Sequence, residues 1–213
     1  MRTVLIPMKP LAGAKERLAP ALNPDERRRL SLAMLADVVA AAQGFSNVWV
    51  LNSDAEAGRL AVEAGVGSVP DPAPGGGLNA SLAAATTRAL AEGADGVLVV
   101  SADLPAVTPD DLAVMCSSSG VAVAPDRGGS GTNALWRSPA DAIGVAFGAN
   151  SLAAHARLAS DAGVPARVVD LPGLALDVDT PADLAAACAQ IVGARTRRAL
   201  EEMDLAARLR LAG

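Results

Sequence analysis

Three cations, Lys9, Lys15 and Arg17, fall within nine residues of the segment Ile6-Pro7-Met8-Lys9-Pro10-Leu11-Ala12-Gly13-Ala14-Lys15-Glu16-Arg17-Leu18, directly after the apolar run Val4-Leu5-Ile6. Ligands of open α/β sheets bind just beyond the carboxyl ends of the strands. That position favours a phosphate-binding loop over a merely solvated Lys/Arg loop. The segment lacks the Gly-Lys-Ser/Thr of a Walker A loop, and Gly13 stands alone where a dinucleotide fingerprint needs three glycines. P-loop hydrolases and NAD enzymes are thereby excluded.

Acidic residues occupy comparable positions. Asp103 follows the buried-type run Val97-Leu98-Val99-Val100, and Asp177 and Asp179 flank Val178 ahead of Thr180-Pro181. A carboxylate at the carboxyl edge of a sheet is able to hold a hard divalent cation through oxygen. The alternatives are a turn cap at Asp103 and a helix N-cap at Asp179 or Thr180. For the pair, capping and metal binding are compatible.

Two further segments suit anions. Pro125-Asp126-Arg127-Gly128-Gly129-Ser130-Gly131-Thr132-Asn133-Ala134-Leu135 is a glycine-rich turn carrying one Arg, and successive backbone N–H groups in such a turn form an anion-binding concavity. Phe147-Gly148-Ala149-Asn150-Ser151 opens a helix whose first N–H groups offer a second cradle. His155, one turn into that helix, reads as a partly buried structural histidine rather than a catalytic one.

The elements that must position these residues alternate between short β-branched runs and Ala/Leu-rich stretches, which predicts an α/β fold with parallel strands and helices on both sheet faces. Strands are predicted at Thr3 to Pro7, Val48 to Asn52, Gly67 to Val69, Val97 to Ser101, Val121 to Ala124, Thr132 to Trp136 and Ala166 to Val169. Helices are predicted from Asn23-Pro24 to Gln43, Leu78 to Glu92, Ser151 to Ala162 and Thr180-Pro181 to Val192. The loop Pro70-Asp71-Pro72-Ala73-Pro74-Gly75-Gly76-Gly77 is either a surface turn or a mobile substrate loop. The stretch from Arg195 to Arg210 reads as an amphipathic terminal helix that docks on the body or on a second subunit, so a homodimer is one outcome.

Composition narrows the partners. The chain has 213 residues, 51% hydrophobic, 19% charged and 2% aromatic, which suits one ordered domain and excludes a disordered chain. A net charge of −5, no Tyr, and only Phe45, Phe147, Trp49 and Trp136 for stacking argue against nucleic acid. The same global charge repels anionic substrates, so attraction has to come from a small local positive site. Cys116 and Cys188 read as buried reduced thiols, and one histidine excludes His-cluster zinc sites. The first apolar run is too short for a signal segment and no stretch spans a bilayer, so the expected location is cytoplasmic, without a membrane partner.

Taken in order, IPMKPLAGAKERL, GGGLNASL, SADLP, PDRGGSGTNAL, FGANS and DVDTP resemble the phosphoenolpyruvate or 2-phospho-L-lactate guanylyltransferase family, over about Met1 to Val192. That family belongs to nucleotidyltransferases with a molybdenum-cofactor-guanylyltransferase-like fold. The resemblance implies a three-layer, mostly parallel, nucleotide-diphospho-sugar transferase-like sheet. It implies a nucleotidyltransferase domain over residues 1–194, with 195–213 as a helix of the same domain or docked on it. It also implies activation of a phosphorylated three-carbon acid by GTP, with pyrophosphate release, in deazaflavin coenzyme biosynthesis.

Carried over by position, the resemblance places Lys9 and Lys15 on phosphates. It gives Asp103, Asp177 and Asp179 to two Mg²⁺ ions, with Lys9, Lys15 and Asp103 as the catalytic set. Thr132, Gly148 and Ser151 fall to the acid substrate, Thr132 and Gly148 largely through backbone amides. Gly13, Arg17, Gly77, Leu78 and Asn79 fall to the guanine nucleotide. The glycine-poor first loop departs from related sugar and molybdopterin enzymes, which favours the present family over them. Phosphoenolpyruvate is the leading acid and 2-phospho-L-lactate the alternative, since no residue decides between them. A non-catalytic nucleotide-binding module would lack a metal carboxylate, and all three are present.

Overall fold

The computed structural model describes residues 1–211. Its strands are β1 Arg2–Pro7, β2 Asn47–Asn52, β3 Gly67–Pro70, β4 Gly96–Val100, β5 Gly120–Pro125, β6 Thr132–Ser138 and β7 Ala166–Val168. Its helices are α1 Pro24–Ala42, α2 Ala55–Glu63, α3 Gly77–Ala91, α4 Pro109–Met115, α5 Ser151–Asp161, α6 Pro172–Ala175, α7 Pro181–Ala189, α8 Ala194–Glu202 and α9 Leu205–Leu211. A short 3₁₀ turn, Glu16–Leu18, ends the first loop.

The strands form one sheet in the order β3-β2-β1-β4-β6-β5-β7. Side chains alternate across it, as the two-residue period of a strand requires. Val4 and Ile6 of β1 join Leu35 and Val38 of α1 and Leu112 of α4 on one face. Leu5 joins Leu82 of α3 and Ala159 of α5 on the other. Three layers result. The chain leaves β1 toward β2 on one side and returns to β4 on the other, so the carboxyl ends of β1 and β4 flank a topological switch point.

The sheet is mostly parallel, as expected, and the exception is β6, which pairs antiparallel with both β4 and β5. The cause is the glycine-rich turn after β5. A parallel return needs a crossover of about a dozen or more residues, whereas a short turn allows only a hairpin. The reversal has a functional consequence. It brings the start of β6 to the carboxyl edge of β4, where Ser101 N donates to Asn133 O at 2.9 Å.

The carboxyl-terminal helices also depart from expectation. The helix that begins at Pro181 ends at Ala189, because Gln190 is extended, instead of reaching Val192. The expected single terminal helix is divided at Asp204, whose φ of 48° breaks it into α8 and α9. Leu200, Met203 and Leu205 share an apolar cluster with Leu18 and Leu22 near the first loop and with Leu30 and Met34 of α1. Residues 212–213 of the expected 195–213 helix lie outside the described residues. Among the described residues no helix is long and apolar enough to cross a membrane.

Candidate active site

Lys15 organises the carboxyl edge. Its ammonium donates to Asp179 Oδ1 at 2.6 Å and to Asp103 Oδ2, and its side chain is only 10% exposed. The backbone of Lys15 is left-handed, at φ 55° and ψ 41°, a region costly for a residue with a Cβ. Such strain clusters where surrounding contacts over-determine a conformation. Here the two carboxylates supply those contacts. Burial alone would lower the Lys15 pKa, but the charges of Asp103 and Asp179 outweigh it and hold the pKa above 10.5.

The aspartates differ in environment. Thr180, rather than Asp179, caps α7, its hydroxyl accepting from Asp183 N at 3.3 Å while Asp183 bonds back. Asp179 is thus released to face Lys15. Burial would raise the Asp179 pKa, yet Lys15, aided by the charges of Lys9 and Arg17, lowers it overall. Asp177 lacks a cation. Burial, then the charge of Asp103, raises its pKa, opposed by a hydrogen bond from Asn133 Nδ2 at 3.3 Å. Asn133 Nδ2 also donates to Leu174 O at 2.9 Å, so β6 pins the segment that carries Asp177.

The three aspartates are therefore neighbours that do not close on one point. Among the described residues no set of three His, Cys, Asp or Glu side chains is close enough to hold one ion together. The resemblance gave Lys15 to phosphates and the aspartates to metal ions. Lys15 instead stands between two of them. Lys9 and Arg17 are exposed and form no ion pair among the described residues.

Burial of the Asp177 charge, with that of Asp103 beside it, disfavours the ionised carboxylate. Asp177→Asn retains Oδ1 for Asn133 and removes one negative charge, so the metal-free protein at pH 7 is expected to melt about 1–3 °C higher. The gain should shrink as pH falls through the raised Asp177 pKa, because the wild-type carboxyl then becomes neutral too. A lower melting temperature at pH 7 in chelator-treated protein would refute the repulsion.

Across the edge lies the second cluster. Thr132 opens β6, Ser151 opens α5, and Gly148 precedes Ser151 in an irregular strap with φ +136°, a conformation that L side chains rarely adopt. Ser151 N donates to Gly148 O at 3.3 Å and Leu152 N to Ser130 O at 3.1 Å, tying the strap and the glycine-rich turn to the start of α5. His155 is fully buried rather than partly so. Its Nδ1 lies 3.1 Å from Thr132 Oγ1, and its Nε2 accepts from Ala146 N at 3.0 Å. Burial, with the Arg137 charge second, pushes its pKa down to about 4. Sequence reasoning missed this connection, since nothing local links His155 to Thr132.

Gly77, Leu78 and Asn79 start α3. Gly77 has φ +78° and Leu78 is partly exposed, while the Asn79 amide is engaged by the strap. Asn79 Oδ1 accepts from Phe147 N at 2.8 Å and Nδ2 donates to Phe147 O at 2.9 Å. The side chain expected on nucleotide therefore joins the start of α3 to the anion cradle. The preceding loop is a closed turn, with Asp71 Oδ1 accepting from Ala73 N at 3.0 Å and from the Ser81 hydroxyl. Gly13, φ +76°, lies exposed in the first loop. A separate cleft of about 530 Å³, lined by Gln43, Asn47, Trp49 and Gly67, opens at the opposite edge of β2 and β3 and contains none of these residues.

Comparison with known proteins fits this architecture. Residues 2–210 match the family model described as "Guanylyl transferase CofC like". The phosphoenolpyruvate guanylyltransferase of Sphaerobacter thermophilus is 42% identical over 84% of this chain and 89% of the relative. The protein of the same name from Streptomyces coelicolor is 40% identical over 99% of this chain and 98% of the relative. A solved structure from Desulfovibrio desulfuricans G20, named for the nucleotide-diphospho-sugar transferases, superposes with a TM-score of 0.80 over 99% of this chain and 97% of that one, at 17% identity. At that identity the likeness speaks to fold alone. With nearly the whole sequence matched, the chain belongs to the guanylyl transferase CofC-like family and is a nucleotidyltransferase.

Proposed function

We propose that the chain transfers GMP from GTP to phosphoenolpyruvate, releasing pyrophosphate and giving enolpyruvoyl-2-diphospho-5′-guanosine for deazaflavin coenzyme biosynthesis. The observation that carries this reading is the Lys15 ammonium held between Asp103 and Asp179 at the edge that also bears Thr132, Gly148 and Ser151. Relatives named for this reaction support it.

A phosphate monoester has a second pKa of about 6, so its oxygen is already a nucleophile at neutral pH and needs no side-chain base. That oxygen attacks the α-phosphorus of GTP, and the bond to the β-phosphate bridging oxygen breaks. The residues then have two tasks. Lys15, Lys9 and Arg17 would offset charge on the triphosphate and departing pyrophosphate. Backbone N–H groups around Thr132 and Gly148, with Ser151 at the start of α5, would orient the acid.

An oxygen-only donor set already occupied by an ammonium suits a hard cation, and Mg²⁺ is commonly bound through one or two carboxylates plus substrate phosphates. Asp103 and Asp179 would hold such an ion, with Asp177 adding negative charge beside them. When bound, Mg²⁺ supplies charge neutralisation and in-line alignment of the two polyanions.

The test is a panel of nucleoside triphosphates against phospho-acids, read by mass spectrometry of the adduct. GTP with phosphoenolpyruvate, in the presence of Mg²⁺, should yield the guanylylated product. Adduct formation with 2-phospho-L-lactate alone would reassign the acid. Product from CTP with a pterin or sugar phosphate, and none from GTP, would overturn the proposal.

A further inference from the structure

We infer that His155 is a positioning residue for the acid substrate: its imidazole fixes the Thr132 hydroxyl as a hydrogen-bond donor and holds the Gly148 strap in register with it. The inference rests on the proposed acid site at Thr132, Gly148 and Ser151. It follows from an inventory of protons. The ring is fully buried, and Ala146 N–H donates to Nε2 at 3.0 Å, so Nε2 is the unprotonated acceptor. A neutral imidazole then carries its one proton on Nδ1. That proton points at Thr132 Oγ1, 3.1 Å away. Thr132 Oγ1 is thereby an acceptor, and its own hydroxyl proton is left to donate elsewhere. Among the described residues nothing accepts that proton. An anionic oxygen in the cradle would.

The same ring fixes the strap. Ala146 is bonded to Nε2, and the Phe147 ring meets His155 edge-on, with centroids 5.0 Å apart at 70°. Asn79 clamps both backbone groups of Phe147, and Arg137 Nη1 donates to Ile143 O at 3.1 Å. Three elements thus hold residues 143–147 immediately before Gly148. Of the three, only His155 also touches Thr132. It links the two halves of the cradle without touching the acid.

His155 is the sole histidine, so a long-range ¹⁵N–¹H spectrum reports one imidazole. The wild-type spectrum should show the neutral Nδ1–H tautomer, and its resonances should move on adding phosphoenolpyruvate to the GTP-loaded protein. Kinetically, His155→Gln should raise KM for phosphoenolpyruvate about tenfold, the loss of one hydrogen bond to a charged group. KM for GTP should stay within about twofold. Thr132→Val should have the same effect, and the double variant should be no worse than Thr132→Val, because both changes remove one interaction.

An Nε2–H tautomer, additive effects in the double variant, or equal rises in both KM values would overturn the inference. Should His155→Gln fail to fold, the wild-type tautomer and the acid-induced shift decide it. Wild-type turnover with a normal His155→Gln variant removes this inference alone. Absence of turnover with every three-carbon phospho-acid removes the proposed reaction and this inference together.

Discussion

Asp103→Asn is expected to keep the fold and lower turnover by on the order of 10³-fold, the upper end of what removing one charge-stabilising group costs. The amide has the size of the carboxylate but not its charge, and a hard cation is held by charge and oxygen together. The fold should survive because the part of Asp103 that supports it is its backbone, whose carbonyl accepts from Val178 N at 3.3 Å. Lys15 also retains Asp179 at 2.6 Å. The melting temperature should therefore move by no more than about 2–4 °C, equivalent to roughly 1 kcal/mol in a chain of this size. Steady-state rates at saturating GTP and phosphoenolpyruvate, beside a thermal melt, check both halves. Turnover within tenfold of wild type would remove Asp103 from the chemistry.

The strands were legible because buried runs of β-branched residues between turn residues have few other solutions. All seven predicted strands exist, with ends displaced by a residue or two. Direction was less legible. Alternation and burial are the same for a strand running either way, so β6 could be located but its reversal lay only in the shortness of the turn before it. The start of α8 was placed within one residue, at Arg195 against the observed Ala194, but what caps it was illegible. Gly193 has no side chain to cap α8, and Asp37 of α1 does so instead, accepting from Thr196 N at 2.8 Å and Arg195 N at 3.1 Å. A Cβ on Gly193 would stand 2.2 Å from that carboxylate. A cap donated from 158 residues away leaves no local signature.

The site divides along the same line. Lys15, Asp103 and Asp179 stood out because charged residues beyond the ends of apolar strands have few structural uses. What pairs with what was not local information. Lys15 and Asp179 are 164 positions apart, and only the switch point at β1 and β4 makes them neighbours. Asn79 illustrates the converse. The family resemblance gave it to the guanine nucleotide, but its amide matches the N–H and C=O of Phe147 so well that both ends are engaged there. An Asn presents one donor group and one acceptor, and an irregular strap has unpaired backbone groups to receive them.

Lys15→Met is expected to have opposite effects on the ligand-free protein and on its response to cations. Removing the ammonium leaves Asp103 and Asp179 facing each other with Asp177 beside them, three like charges without the cation that bonds two of them. Asp179 is 45% exposed, so solvent screens part of the repulsion, and the loss is about 1–2 kcal/mol rather than the full value of two charged hydrogen bonds. The metal-free melting temperature should fall by roughly 2–8 °C. Millimolar Mg²⁺ should then raise it more in the variant than in wild type. In wild type an entering ion has to displace the Lys15 ammonium, which weakens apparent binding, whereas the variant offers the carboxylates unoccupied, and stabilisation grows with ligand concentration over Kd. Turnover should nevertheless fall by about 10²–10³-fold even with Mg²⁺ saturating, because the cation that meets the phosphates is gone. A larger Mg²⁺-induced gain in wild type than in the variant would mean that Lys15 does not occupy the cation's place. Turnover close to wild type would mean that its charge does not serve the phosphates.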